Sequence, residues 1–220
     1  GYRRDHRQAC KKNRSSVTSS VHSPMSIPKL DNPIDLFRQW FDEAKQCGLR
    51  EPTAMCLSTA TPDGAPSSRM VLLKSVDDRG FVFYTNTGSR KAGEIEANLK
   101  VALNFYWMPL GKQVRIEGIA EPVSSDEADA YFASRDRQSQ IGAYASKQSQ
   151  PIEGYFELER RAAEFALRFG VGKVPRPEFW SGYRVVPGAI EFWMEKPFRL
   201  HERLVYTRAE AGWTTHWLFP

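Results

Sequence analysis

The sequence predicts a mainly β chain, an antiparallel barrel with peripheral helices. Three observations carry that reading. Short apolar or alternating runs recur from residue 55 to the C-terminus, and Pro, Asp and Gly turn signals separate them. The few stretches with helical periodicity interrupt the strands instead of alternating with them. No GxGxxG follows a strand and no GxxxxGK[ST] occurs, so a Rossmann or P-loop architecture lacks its phosphate loop.

In chain order, Asn32-Pro33 opens a helix, with Asn as cap and Pro in the first turn. Phe37, Trp40, Phe41 and Ala44 recur at helical spacing, and Gly48 ends it. MCLSTA (55–60), RMVLLKSV (69–76) and GFVFYT (80–85) read as strands. In SRMVLLKSV the period of two sends Arg69 and Lys74 to opposite faces, where both could reach water from the strand ends or each meet a different anion. NTGSRKAGEIEANL (86–99) reads as a loop and a short helix capped near Ser89. VALNFYW (101–107) and QVRIEGIAEPV (113–123) form a hairpin around Pro109 and Gly111. Ser124 and Glu127 make a capping box for a helix bearing Tyr131 and Phe132. After Pro151, Tyr155, Leu158, Ala162, Phe165 and Phe169 form the apolar stripe of a long helix closed by Gly170. A Pro-rich turn, VPRPEFW (174–180), leads to the strands YRVV, IEFWME, RLHERLVYT and WTTHWLF.

The chain has 220 residues, 41% hydrophobic, enough for one core. No apolar run approaches the roughly 18 residues of a membrane span. Cys10, Cys47 and Cys56 lack disulfide or zinc spacing, which points to a reduced, cytoplasmic setting. The formal charge of +5 invites a nucleic-acid reading. Its placement argues against one. Residues 1–24 hold six Lys/Arg and one Asp, while the remainder balances 25 Lys/Arg against 25 Asp/Glu. Residues 1–24 are therefore expected to be a basic leader without order, and residues 25–220 a single domain. The leader's Arg, Ser and scarcity of acids leave a weak organellar reading, and Met25 is a candidate natural start.

Catalytic machinery of the chain's own is scarce. Residues 25–220 contain two histidines, His201 and His216, and no GxSxG elbow. Whatever chemistry occurs is expected to belong to a bound organic cofactor. Four polar clusters remain. They are Arg69 with Lys74, the GSRK run (88–91), the polar run YFASRDRQSQIGAYASKQSQ (131–150), and RLHER (199–203). GSRK suits a phosphate at a helix start, but taken alone it reads more readily as a solvated helix start. The 131–150 run is also an ordinary polar helix–loop–helix. In RLHER, read as a strand, Arg199, His201 and Arg203 share one face, and three adjacent cations call for an anion or an electron-rich ring opposite.

The ordered set RMVLLK, FYTNTGSRK, QVRIEG, YF-x-SR…SQIGA-x-SKQS and IEFW…RLHER with a C-terminal Pro resembles the pyridoxine/pyridoxamine 5′-phosphate oxidase family, from about Pro33 to Pro220. Each motif is modest; their order is specific. The resemblance implies an antiparallel split β-barrel homodimer with two FMN sites at the subunit interface. It implies FMN contacts from Arg69, Met70, Val71, Leu72, Tyr84, Thr85, Arg90, Lys91, Gln113, Gln148, Ser149, Trp193 and Arg203. It places the substrate phosphate against Lys74, Tyr131, Arg135 and Ser139. Arg199 and His201 would face the substrate ring from the partner chain as the catalytic pair. The implied reaction is hydride transfer from substrate C4′ to flavin N5, with O2 as final acceptor giving hydrogen peroxide, and ammonia from the amine substrate. No metal, membrane or nucleic acid is implied.

The pattern is broken in places. An N-terminal Arg and Tyr lid finds no match in SVHSPMSIPKLDN. Met194-Glu195 stands for Gln-Gly, Glu202 for Asp, Ala133 for His and Asp136 for Pro, and the C-terminus reads Trp217-Leu218-Phe219-Pro220. None of these removes a phosphate candidate. A split-barrel flavin oxidase of the phenazine-biosynthesis type, and a non-catalytic flavin-binding protein, are the competing readings. The set Lys74, Tyr131, Arg135 and Ser139 argues against the first.

Overall fold

A computed structural model describes residues 27–220; the basic leader and Met25 lie outside the described residues. Among the described residues, nine antiparallel strands form one sheet, with five α-helices around it. The elements are α1 (Pro33–Gln46), β1 (Ala54–Ala60), β2 (Pro66–Leu72), β3 (Ser75–Asp77), β4 (Gly80–Asn86), α2 (Arg90–Ala97), β5 (Lys100–Trp107), β6 (Lys112–Pro122), α3 (Ser125–Ser134), α4 (Arg137–Ala145), α5 (Glu157–Phe169), β7 (Trp180–Met194), β8 (Glu202–Ala209) and β9 (Gly212–Leu218). The main path runs β2-β1-β5-β6-β7-β4-β3, with β8 and β9 branching from β7. The mainly β antiparallel class with peripheral helices is therefore what the sequence predicts. Among the described residues, no helix is long and apolar enough to cross a membrane.

The core follows from alternation. The odd-numbered residues of β5 from Val101 to Trp107 and Val114 and Ile116 of β6 are buried, while their neighbours turn outward. Over this face lies α1. Asn32 caps it by accepting the Ile34 N–H. Its Phe37 is fully buried and meets Phe81 and Phe105 edge-on, at centroid distances of 4.9 and 5.1 Å. Burying a ring of this size contributes about 2–3 kcal/mol.

Two departures from the expected strands shape the molecule. The run 69–76 is two strands and not one, because the chain changes partner at Leu73-Lys74. Leu73 N–H donates to Thr53 O and Lys74 N–H to Val82 O. β2 pairs with β1 at one end of the path and β3 with β4 at the other. Two residues span only about 7 Å, so the path must curl back on itself, as a split barrel does. Strand parity between Arg69 and Lys74 therefore no longer applies.

YRVV and IEFWME are likewise one 15-residue strand, β7. Its residues 180–185 pair with β4, while residues 189–194 pair with β8. β6 runs along the other edge from Tyr183 to Met194, with a bulge at Glu117/Gly118 opposite Pro187. Gly118 is required there, since a Cβ would lie 2.2 Å from Val186 O.

RLHER is not one strand. Arg199 ends a 3-10 turn (Pro197–Arg199), and β8 starts only at Glu202. Phe198 and Arg199 have φ of 57 and 62°, left-handed values that end the strand alternation. The common face expected for Arg199, His201 and Arg203 does not form. The stripe expected after Pro151 also falls short. Tyr155 precedes α5 and is 86% exposed, and no α5 residue is fully buried. The helix packs chiefly on α4, through Phe165 and Phe169 against Tyr144. The 131–150 run is indeed helix–loop–helix.

Candidate active site

A cleft of about 640 Å³ opens between β2, β4 and the α3–α4 pair. Met70, Val71, Leu72 and Lys74 line it from the open edge of β2 and the crossover. Tyr84 and Thr85 come from β4, Lys91 from α2, Tyr131 and Arg135 from the end of α3, Ser139 from α4, and Gln148 from the following loop. Thus all four phosphate candidates, Lys74, Tyr131, Arg135 and Ser139, meet here, with seven of the flavin candidates.

An aromatic wall supports the cleft. The Tyr84 ring stacks on Tyr131 at 4.1 Å and 12°, and on Trp180 at 5.2 Å and 4°. Gly182 makes this possible, because a Cβ there would fall 2.7 Å from the Tyr84 ring. Burial, then the nearby Glu127 and Tyr131, push the Tyr84 phenol up to about 12, so it stays protonated at neutral pH. The Arg135 guanidinium lies 4.9 Å over Trp180. Its Nη1 is buried without a hydrogen-bond partner, and burial lowers its proton affinity. A buried guanidinium donor left open in this way calls for an anion. Asp136 caps α4, accepting the Ser139 N–H at 2.8 Å. Its carboxylate is engaged by the Ser139 hydroxyl first and by the Ser139 N–H second, which hold it below the usual range, and Ser139 lines the cleft beside it.

At the α2 end, Lys91 Nζ donates to Gln148 Oε1 at 2.7 Å and to Thr85 Oγ1 and Ser89 Oγ at 3.2 Å. Ser89 therefore opens α2 without a side-chain cap bond of its own. Burial and the neighbouring Arg69 lower the Lys91 pKa, as expected for a cation crowded by another. Arg69 and Arg90 do not line the cleft; both grip Glu94, at 3.0 and 2.7 Å. Glu94 is buried and also accepts from Thr59. The Thr59 hydroxyl first, then Arg90 and Arg69, hold its carboxyl down at about 2, against the opposing effect of burial. Arg69 and Arg90 share the Glu94 carboxylate, and Lys91 stands near Arg69, so three cations gather around one anion. The surplus charge of two suits a phosphate dianion, and these residues fit the phosphate end of FMN.

The other candidates sit elsewhere on this chain. Gln113, Trp193 and Arg203 lie abreast on β6, β7 and β8 in direct register. Arg203 forms a fork with Glu191, at 2.8 and 3.1 Å. The His201 ring lies 4.6 Å from Trp193, and its Nδ1 accepts the Lys196 N–H. Arg199 is exposed on the turn. Ser149 adopts φ 71° beside Gln148, on a neighbouring cavity. Trp180 and Glu94 were not singled out from the sequence. Trp180 stood at the end of a Pro-rich turn, and Glu94 looked like any helix acid.

Comparison with known proteins places this geometry. Residues 41–169 match the family model described as pyridoxamine 5′-phosphate oxidase. Residues 180–220 match the pyridoxine 5′-phosphate oxidase C-terminal dimerisation region, which supports a homodimer. The chain is 57% identical to the pyridoxine/pyridoxamine 5′-phosphate oxidase of Caulobacter vibrioides, over 90% of this chain and 89% of the relative. It is 60% identical to the same-named protein of Rubrobacter xylanophilus, over 83% and 84%. Among solved structures, PhzG from Burkholderia lata, in complex with tetrahydrophenazine-1-carboxylic acid, superposes with TM-score 0.85 at 36% identity, covering 93% of this chain and all of that one. A pyridoxamine 5′-phosphate oxidase-related, FMN-binding protein from Nostoc punctiforme shares the fold, with TM-score 0.68 at 16% identity over 84% and 97%. By the length and level of these matches, the chain belongs to the pyridoxine/pyridoxamine 5′-phosphate oxidase family.

Proposed function

We propose that this chain oxidises pyridoxine 5′-phosphate and pyridoxamine 5′-phosphate to pyridoxal 5′-phosphate, using FMN and O2, as a homodimer with each site built from both chains. One observation carries the reading: Lys74, Tyr131, Arg135 and Ser139, spread over the sequence, converge on one cleft where Arg135 holds a buried, unpaired donor. That is a receptor for a phosphorylated substrate.

FMN, when bound, supplies a hydride acceptor that O2 regenerates with release of hydrogen peroxide. Arg69, Arg90 and Lys91 hold its phosphate, with Thr85 and Gln148 beside them. Met70 to Leu72 offer the open edge of β2 to the flavin. Lys74 and Arg135 fix the substrate phosphate electrostatically, while Tyr131 and Ser139 donate hydroxyl hydrogen bonds. Gln113, Trp193 and Arg203 complete the flavin site, and Arg199 and His201 cover the substrate ring, all from the partner subunit. What supports this division is β7: Trp180 at its start lines the cleft, while Trp193 is thirteen residues further on, roughly 40 Å along the strand. Orientation of two rings at near-attack distance is what these residues contribute.

The test is direct. The purified protein should show a flavin spectrum. Under air, each phosphorylated vitamer should give pyridoxal 5′-phosphate and hydrogen peroxide in equal amounts, with ammonia from the amine. Failure to bind FMN would sink the proposal. FMN binding with no turnover of either vitamer would favour a phenazine-type ring oxidase, the reading that the PhzG likeness supports.

A further inference from the structure

The turn between β7 and β8 restricts what His201 can be. Lys196 N–H donates to His201 Nδ1 at 3.2 Å. A backbone N–H can only donate, so Nδ1 must be the bare, accepting nitrogen. The neutral ring then carries its proton on Nε2. Among the described residues, Nε2 has no protein partner.

The same turn is fastened from both sides. Lys196 Nζ pairs with Glu202 Oε1 at 3.1 Å, so the residue that pins the imidazole is tied to the start of β8. Glu202 Oε2 accepts the Ile27 N–H at 2.8 Å. Trp193 flanks the ring. Between these anchors lie the two left-handed residues, Phe198 and Arg199. A non-glycine residue in this region is strained and persists only where its surroundings impose it. The Lys196–Glu202 pair is such a surrounding.

We propose that Lys196 and Glu202 form a clamp that fixes His201 as its Nε2–H tautomer, so that His201 donates a hydrogen bond to an electron-rich atom of the ring substrate and does not act as a general base. Glu202 is then a positioning residue, acting on His201 through Lys196. The inference rests on the reading above, in which this turn faces the substrate ring. A base needs a bare nitrogen turned outward, and the turn presents a protonated one.

The experiment uses the full-length holoenzyme labelled with 15N-histidine, with His201→Gln identifying the signal. The native protein at neutral pH should show a bare Nδ1 and a proton-bearing Nε2. Glu202→Gln, of the same shape but uncharged, should show mixed tautomers and a kcat lower by about fivefold, with KM little moved. Glu202→Asp, which keeps the charge, should recover part of both. A proton on Nδ1 in the native holoenzyme overturns the proposal, as does an unchanged tautomer in Glu202→Gln. A fixed Nε2–H tautomer in a protein that oxidises neither vitamer would uphold the clamp and overturn the substrate reading.

Discussion

Helix α3 has an arginine at each end, and the two are treated in opposite ways. At its start, Ser124 accepts the Glu127 N–H as a helix cap, but the Glu127 carboxylate does not close the capping box. Arg184 takes it instead, at 2.9 and 3.1 Å, and holds Asp77 of β3 with its other nitrogen at 2.9 Å. Arg184 is only 7% exposed, and its charge is answered on both sides. At the far end, Arg135 has no carboxylate within ion-pair distance among the described residues, stacks on Trp180, and keeps Nη1 buried and unanswered. The paired arginine ties α3 to the sheet. The unpaired one lines the cleft with a donor that nothing satisfies. In this molecule the partner of a buried cation, more than the cation itself, separates architecture from binding.

Four measurements can break or sharpen that contrast. Arg184→Met should cost about 3 kcal/mol of folding stability, at the low end for a buried pair because both carboxylates are partly exposed, and read as a lower denaturant midpoint. The folded fraction should keep its substrate affinity. Arg135→Met should do the reverse. Apparent affinity for phosphorylated substrate should fall by about 2 kcal/mol, some 30-fold, with no loss of thermal stability, since the change removes a buried donor that nothing satisfies. A marked loss of stability in Arg135→Met would break the comparison. Lys74 is exposed, so Lys74→Ala should weaken phosphorylated substrate by about 1 kcal/mol, near fivefold in KM. The smallest effect concerns acid. Glu94 is held at about 2, below its ordinary 4.5, so it binds fewer protons folded than unfolded across that interval. Its contribution is complete above about pH 4.5 and is lost as pH falls toward 2. Glu94→Gln should flatten the stability slope in that window, by up to about 1 kcal/mol because Arg90 is largely exposed.

Much of this contrast could be read from the chain, and the reasons for the rest are physical. α1, the β5–β6 hairpin and the Ser124 cap announce themselves through local signals: period, turn residues and capping pairs. The four phosphate candidates were reached by motif order, and each lines the cleft. What stayed hidden is set by distant partners. Nothing within residues 69–76 says that Leu73 will bond to Thr53 while Lys74 bonds to Val82. Nothing local says that β7 exchanges β4 for β8 midway. RLHER has the composition of a strand, and only the left-handed pair at Phe198-Arg199 removes it from one. Trp180 and Glu94 were invisible for a related reason: each matters through residues far away in sequence, Tyr84 and Arg135 for the first, Arg69 and Thr59 for the second.

The length of β7 also bears on inheritance. If one site takes its cleft from one chain and its Trp193 end from the other, two lesions in a single chain fall in different sites of the dimer. Chains carrying Arg135→Met and chains carrying Arg199→Ala would each be crippled alone. Refolded together, half the dimers would be mixed, and each mixed dimer would own one site with both lesions and one with neither. The strand that keeps the two ends apart is thus what would let two broken copies of the chain rescue each other, to about a quarter of full activity.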